Sequence, residues 1–435
     1  MTSKLRKSVH SRQNLDAAWR VIQRNGKYSQ SDDVRHAIEK FSENPSSYLG
    51  KMQHKLSRGK FDFGLARGAP IKKLDAKGAP TGKIRPIVIA SLEARIVQRA
   101  LLNVLIEIPE LKPFVNTPFS FGGLRKQKPT DLSEEPVHSA VPAAIKAVLD
   151  QIADGHCWVA TADITAFFTR ISKSVVTDTI RSCVKDDGVM KLLDEAISVE
   201  LENLADLRSM ADQFPIEDIG VAQGNSLSPL LGNILLADFD AQMNEGDCSC
   251  IRYIDDFIIL APSRKAANAR LKKAVHLLGQ FGMELSSDKT SDQATPVADG
   301  FEFLGIEISP GLVRPAAKAR AKLIGKVRAA LDTSKEAILG LRHGKVLDQK
   351  LAAVSTLKRV DGIIDGWGKH YWFCNDRQVF ASLDDRVRKL IASYLGFYSA
   401  ERASLPPEKQ HIPLGMSSLS EQRRSPFAYP KKLAN

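Results

Sequence analysis

The ten residues IRYIDDFIIL, Ile251 to Leu260, set two adjacent carboxylates between apolar runs that would otherwise make two strands of a buried sheet. Two like charges about 4 Å apart repel by roughly 4 kcal/mol at an effective dielectric near 20. Burying either one unpaired costs more. Two arrangements resolve the conflict. Asp255 and Asp256 can face water in the turn of an ordinary β-hairpin, which turn chemistry allows. Alternatively, divalent cations can neutralise the pair.

A third acid placed to join them favours the second arrangement. Asp163 ends a predicted strand, VATAD, in which Val159, Thr161 and Asp163 share one face because strand side chains alternate. If that strand lies beside the 251–260 hairpin, three carboxylates converge at one sheet edge. Three acids with no base next to them suit hard, oxygen-liganded Mg2+, whereas zinc favours His and Cys. Two such ions about 4 Å apart can activate a 3′-hydroxyl and stabilise a leaving pyrophosphate in an in-line displacement.

The rest of the chain bounds this reading. It has 435 residues, 43% apolar and 26% charged, enough for two or three domain-sized units of a folded protein. No apolar run approaches the roughly 20 residues of a membrane span, and the basic start MTSKLRKSVHSRQ has no apolar core after it. Five scattered cysteines, Cys157, Cys183, Cys248, Cys250 and Cys374, point to reduced thiols and a cytoplasmic protein. The formal net charge of +12 favours a polyanionic partner. The run VRPAAKARAKLIGKVR holds Arg314, Lys318, Arg320, Lys322, Lys326 and Arg328 with no acid among them. Lys318, Lys322 and Lys326 recur every four residues, so a helix aligns them on one face. Such an uncompensated run is a nucleic-acid candidate.

Periodicity and turn residues predict the elements. Residues 14–60 read as helical, with a break at SENPSS. GAPIKKLDAKGAPTGKIRPIVIA reads as a hairpin about a Gly/Pro-rich connection. SLEARIVQRALLNVLIEI reads as a helix capped by Ser91, with Glu93 in its first turn. A polar loop is expected over 124–137, then a helix in SAVPAAIKAVLDQIA. Residues 172–213 read as irregularly helical, and SRKAANARLKKAVHLLGQFG as a helix stopped by Gly282. FEFLGIEIS reads as one strand. Beyond Arg314 the pattern is helical, with Val360, Ile363, Ile364, Trp367 and Tyr371 forming a packing face despite three glycines.

Seven segments in order carry a resemblance. DITAFF resembles the first palm motif of reverse transcriptases, an Asp followed five residues later by an aromatic. AQGNSLSPLLGNILL resembles their Q-G-x-x-x-S-P-x-L-x-N motif, and YIDD their Y-x-D-D box. LSSDKT resembles a lysine-bearing segment, and FEFLG the primer-grip turn. GKIRPIVIASLEARIVQRAL resembles the G-K-x-R-P…R-I-V-Q run of the fingers, and PFSFGGLRK the S-x-G-F-R segment, with Gly123 and Leu124 altering its pattern. The set spans residues 50–310. The chain is similar to the bacterial group II intron-like branch.

The resemblance implies an α+β right-hand polymerase. It has fingers over 1–130 with an N-terminal helical extension, and an antiparallel-sheet, ferredoxin-like palm with primer grip over 131–312. A helical thumb and maturase-like region follow over 313–435. Asp163, Asp255 and Asp256 are then the catalytic, metal-binding acids, with the Ile164 carbonyl as a further ligand for two Mg2+ ions. Asp256 has a second reading as a structural acid behind the ligands. Phe168 falls where a ring under the sugar clashes with a 2′-hydroxyl, while Phe167 fits a core position. Gln223 and Gly224 lie near the incoming nucleotide. Lys83 and Arg85 hold the triphosphate, and Lys289 binds or protonates the leaving pyrophosphate.

The implied partners are an RNA template, a DNA product and deoxynucleoside triphosphates, with no membrane. The chain shows no C-x-x-C pairs with His of an HNH endonuclease, no retron N-A-x-x-H or V-T-G element, and SP where diversity-generating enzymes carry SQ. No Cas1-like extension fits the remaining length. What remains resembles a stand-alone enzyme that copies a structured non-coding RNA in defence against phage. Two other functions stay open. One is a maturase-like RNA-binding splicing cofactor. The other is template-independent or protein-primed DNA synthesis at the same site.

Overall fold

The computed structural model describes residues 4–29, 31–74, 80–124, 140–419 and 422–427. The loop expected over 124–137 falls outside these from residue 125 on, as does most of the Gly/Pro connection near residue 77. The chain divides into two compact units, residues 1–297 and 298–435.

In the first unit, the helix Leu92–Leu105 starts where the Ser91 side chain accepts the Ala94 N–H, with Glu93 in its first turn. It buries Ile96, Val97 and Leu101 completely. The helices Arg12–Gly26, Asp32–Glu43 and Pro45–Ser57 cover its other side through Leu15, Trp19, Phe41 and Leu49. Two strands, β1 (Arg67–Leu74) and β2 (Pro80–Ile89), form the expected antiparallel hairpin.

A four-stranded sheet organises the rest of this unit. Its strands are β3 (Trp158–Asp163), β4 (Ser249–Tyr253), β5 (Asp256–Ala261) and β6 (Thr295–Pro296), in the order β4-β5-β3-β6. All neighbours are antiparallel. The helices Ala140–Ala153 and Arg264–Gln280 pack against it. Ser263 caps the second of these, and Gly282, at φ +65°, turns the chain away after it. Phe257, Ile259, Phe239, Leu230 and Phe167 form the core between sheet and helices. Every residue of β5 after Asp256 is buried, so this strand has solvent only at the end that carries its acid.

In the second unit the segment expected as one strand is two. Strands β7 (Phe301–Phe303) and β8 (Ile306–Ser309) fold back on each other, and β9 (Leu312–Pro315) completes a three-stranded antiparallel sheet. The reversal lies at Leu304 and Gly305, both left-handed at φ 53° and 74°. Two consecutive positive φ values make the primed turn that matches strand twist. Leucine is a poor residue for the first of them, so alternation alone predicts one strand here, whereas the resemblance of FEFLG to a primer-grip turn implies a reversal.

Helices Ala317–Gly340, Ala353–His370 and Arg377–Ala403 follow, packed through Val327, Leu331, Val360, Leu383 and Tyr394. Ile363, Ile364 and Trp367 join that core, and the Tyr371 ring sits 4.5 Å from Trp367. A Cβ on Gly362, Gly366 or Gly368 would meet no other atom, and the helix runs through all three. Among the described residues no helix is long and apolar enough to cross a membrane.

Candidate active site

The three acids meet through backbone register. Asp163, the last residue of β3, pairs directly with Asp256, the first residue of β5. Asp256 also faces Tyr253 across the β4–β5 turn, which leaves Ile254 and Asp255 at its tip. The Ile164 N–H donates to the Asp255 carbonyl at 2.9 Å, tying that tip to the end of β3. Carboxylate oxygens of Asp163, Asp255 and Asp256 all lie within 4.8 Å of one another. Ile164 is 1% exposed, and the Thr165 N–H donates to the Glu284 carbonyl at 2.8 Å, so the backbone beside Asp163 is fixed on both sides.

Their electrostatics show the strain of this arrangement. Burial, and then the charge on Asp163, raise the Asp255 carboxyl above its usual value. Burial, a hydrogen bond with Asp163 and the charge on Asp255 push Asp256 up to about 7. Lys289 gives partial relief, with its Nζ 2.8 Å from Asp163. Burial opposes the charge on Lys289, but the three carboxylates outweigh it and raise its pKa. The loop that carries Lys289 is stitched to β3. The Ser286 N–H donates to the Asp163 carbonyl and the Ser291 N–H to the Thr161 carbonyl, both at 2.8 Å. Three converging carboxylates with one amine among them form an oxygen-only donor set. That chemistry fits a hard divalent cation.

The other residues singled out in the sequence divide by position. Arg85 is exposed on β2, and its charge partly opposes the rise that burial and Asp163 impose on the Asp255 carboxyl. Lys83, two residues earlier, pairs with Asp288 at 3.1 Å. Both partners are exposed, and such a pair is worth about 0–1 kcal/mol. Gln223 bridges to Ile87 of β2. Gly224 is left-handed at φ +104°, with its Cβ position 3.7 Å from the Val88 carbonyl. Phe167 is buried at 2%, whereas Phe168 is half-buried with its ring 5.2 Å away. The Val221 N–H donates to the Phe168 carbonyl at 2.7 Å and joins this turn to the segment that carries Gln223.

Across residues 71–308, more than half of the chain, the sequence matches the family described as Reverse transcriptase (RNA-dependent DNA polymerase). The chain belongs to that family. Protein YkfC of Escherichia coli (strain K12) is 27% identical over 259 residues, covering 52% of this chain and 63% of the relative. The Retrovirus-related Pol polyprotein from type-2 retrotransposable element R2DM of Drosophila melanogaster is 23% identical over 141 residues, covering 31% of this chain and 13% of the relative. The chain therefore spans less than two thirds of either relative's length. Among solved structures, a partial Cas6-RT-Cas1–Cas2 complex aligns at 18% identity and a TM-score of 0.34, over 64% of this chain and 43% of that one. The apo telomerase of Candida tropicalis aligns at 12% identity and a TM-score of 0.40, over 82% and 67%. The family's chemistry depends on divalent metal, which the donor set above suits.

The basic run of this chain is less uniform than its sequence. Lys318, Lys322, Lys326 and Arg328 are exposed on the helix Ala317–Gly340. Arg314 and Arg320 are half-buried and converge on Glu307, at 2.6 and 3.5 Å, and Arg314 also reaches Asp376 at 3.4 Å. The run has no acid of its own, but β8 supplies one. The hydrogen bond from Arg314 lowers the Glu307 carboxyl, as expected of a structural ion pair.

Sequence reasoning also missed Arg252. This residue is 0% exposed on β4, with its guanidinium 2.5 Å from Asp240. A single arginine in an apolar strand directly before the two acids was the available signal.

Proposed function

We propose that this protein is an RNA-directed DNA polymerase that extends a DNA strand on an RNA template from deoxynucleoside triphosphates. The observation that carries the reading is the direct pairing of Asp163 with Asp256, which gathers three carboxylates within 4.8 Å at one end of a sheet. Asp163, Asp255 and Asp256, with the Ile164 carbonyl, would hold two Mg2+ ions. Bound there, the metal would lower the pKa of the primer 3′-hydroxyl and offset charge on the leaving pyrophosphate.

The remaining roles belong to the chain's own residues. Arg85, and Lys83 once it leaves Asp288, hold the triphosphate. Lys289 stands beside the acids, where an ammonium can bind the pyrophosphate or give it a proton. Gly224 lets the backbone approach the nucleotide closely. Phe168 closes the floor under the sugar and disfavours a 2′-hydroxyl.

Residues 298–435 hold 23 Lys and Arg against 14 Asp and Glu, nine of the net twelve positive charges. That surplus supports a role for Lys318, Lys322, Lys326 and Arg328 on the nucleic-acid backbone. Arg314 and Arg320 would instead steady the strand-to-helix junction. We assign the fingers to 1–130, the palm with primer grip to 131–312, and the thumb with its maturase-like region to 313–435. The three strands β7 to β9 cluster with the helical unit in the fold. The ordered motif set supports the group II intron-like branch, and the biological reading is copying of a dedicated structured RNA in defence against phage.

Primer extension on an RNA template with deoxynucleotides and Mg2+ tests the chemistry. The paired change Asp255→Asn, Asp256→Asn should abolish extension while leaving RNA binding, and Ca2+ in place of Mg2+ should permit binding without turnover. Extension by the double variant would sink the reading. Sequencing of copurifying nucleic acid tests the biological part, which predicts one abundant RNA together with its complementary DNA.

A further inference from the structure

The geometry points to Arg252 as a positioning residue: its buried pair with Asp240 latches the Ile254 carbonyl, and so presents the Asp255 carboxylate to the cation site. This rests on the reading that the three acids hold divalent cations.

Every arm of the Arg252 guanidinium is committed. Its Nε donates to one oxygen of Asp240 at 2.7 Å, and one terminal nitrogen donates to the other oxygen at 2.5 Å. That same nitrogen donates to the Asn233 side-chain oxygen at 3.2 Å. The other terminal nitrogen donates to the Ile254 carbonyl at 3.0 Å. Asn233 is itself fixed, accepting from Ser120 at 3.0 Å and donating to the Phe114 carbonyl at 2.9 Å. The Arg252 backbone is clamped as well. Its N–H donates to the Phe119 carbonyl at 2.8 Å, and its carbonyl accepts the Phe121 N–H at 2.9 Å.

What the guanidinium holds is unusual. Ile254 is β-branched yet left-handed, at φ 64°, a conformation that such residues adopt only when the surroundings force it. Gly122 leaves room for this turn: a Cβ there would stand 2.5 Å from the Ile254 side chain and 2.9 Å from its nitrogen. The turn is thus pinned between a glycine and a buried cation, and the next residue is Asp255. Stability gives no reason for this pair, since well-packed apolar residues replace buried ion pairs at little or no loss. Holding a strained backbone one residue before a metal ligand gives one. Outer partners of this kind set the orientation of the ligands they support.

Two variants and one metal test the proposal. Arg252→Lys keeps a cation for Asp240 but cannot also reach the Ile254 carbonyl. Arg252→Met with Asp240→Leu removes both charges and leaves neither unpaired. Mn2+ binding is measured by EPR on the protein alone, beside thermal unfolding and the Mg2+ concentration for half-maximal primer extension. Folded variants are expected to bind Mn2+ about tenfold more weakly, with the half-maximal Mg2+ concentration rising in parallel. A purely structural role would lower the melting temperature and leave both unchanged. A folded Arg252→Lys protein with wild-type Mn2+ affinity overturns the proposal, while Asp255→Asn still abolishes binding. Mn2+ binding indifferent to Asp255→Asn overturns the metal-site reading and this proposal with it.

Discussion

At the residue scale, Asp256 responds most to what occupies the site. Its carboxyl titrates near 7 in the metal-free protein, against an ordinary 3.8. A carboxyl raised on folding contributes stability that is full below about pH 4 and is lost as pH rises through 7. Asp256→Asn is neutral throughout. In EDTA the variant should therefore gain stability over wild type between pH 5 and pH 8, by on the order of 1–3 kcal/mol. Thermal unfolding at the two pH values checks this, and a gap that does not widen removes the assigned repulsion. Phe168 makes a second residue-scale prediction. Phe168→Ala should lower the preference for deoxy- over ribonucleotides by roughly tenfold in kcat/KM, about 1.4 kcal/mol. Unchanged sugar selectivity places the gate elsewhere. The acids were legible in the sequence because repulsion between neighbouring carboxylates demands a reason. Arg252 and Asp240 were not, because their pairing over twelve residues depends on a helix, Ala237–Met243, docking behind the sheet.

At the scale of elements, two glycines near the candidate site are restricted for different causes, Gly224 in a turn and Gly232 inside the helix Ser228–Leu235. Gly224 sits at φ +104° with space around it, so its restriction is conformational. Gly224→Ala should cost about 1–3 kcal/mol in denaturant unfolding and raise the KM for the incoming nucleotide. Gly232 has no such φ, but a Cβ on it would stand 2.8 Å from the Phe167 ring. Its restriction is packing, and Gly232→Ala should cost about 1–3 kcal/mol by overfilling the core. The first substitution should spare the core and the second should disturb it, which near-ultraviolet circular dichroism separates. Strand β3 was legible from alternation, and the helix Leu92–Leu105 from its Ser91 cap. The β7–β8 reversal was marked only by the resemblance of FEFLG to a primer-grip turn and not by local turn chemistry, since a leucine occupies its first left-handed position and the pairing of both strands with each other and with β9 enforces it.

At the scale of the whole molecule, charge is the property that composition announced and the fold redistributes. In sequence the six cations of the run 314–328 have no acid among them. Glu307 and Asp376 take Arg314, and Glu307 takes Arg320, which leaves four exposed cations on the helix. These two classes should behave differently towards a polyanion. Each exposed cation that neutralises a phosphate releases counterions and adds about 0.9 to the slope of log affinity against log salt on a duplex. Replacing Lys318, Lys322 and Lys326 by Ala should weaken binding to an RNA–DNA duplex and reduce that slope by roughly 2–3. Replacing Arg320 should leave the slope unchanged and act on stability instead, because its guanidinium already faces an acid. Fluorescence anisotropy across a salt series distinguishes the two. If the triple variant keeps the wild-type slope, the duplex does not lie along this helix. The nine-charge surplus of residues 298–435 would then serve another surface of that unit.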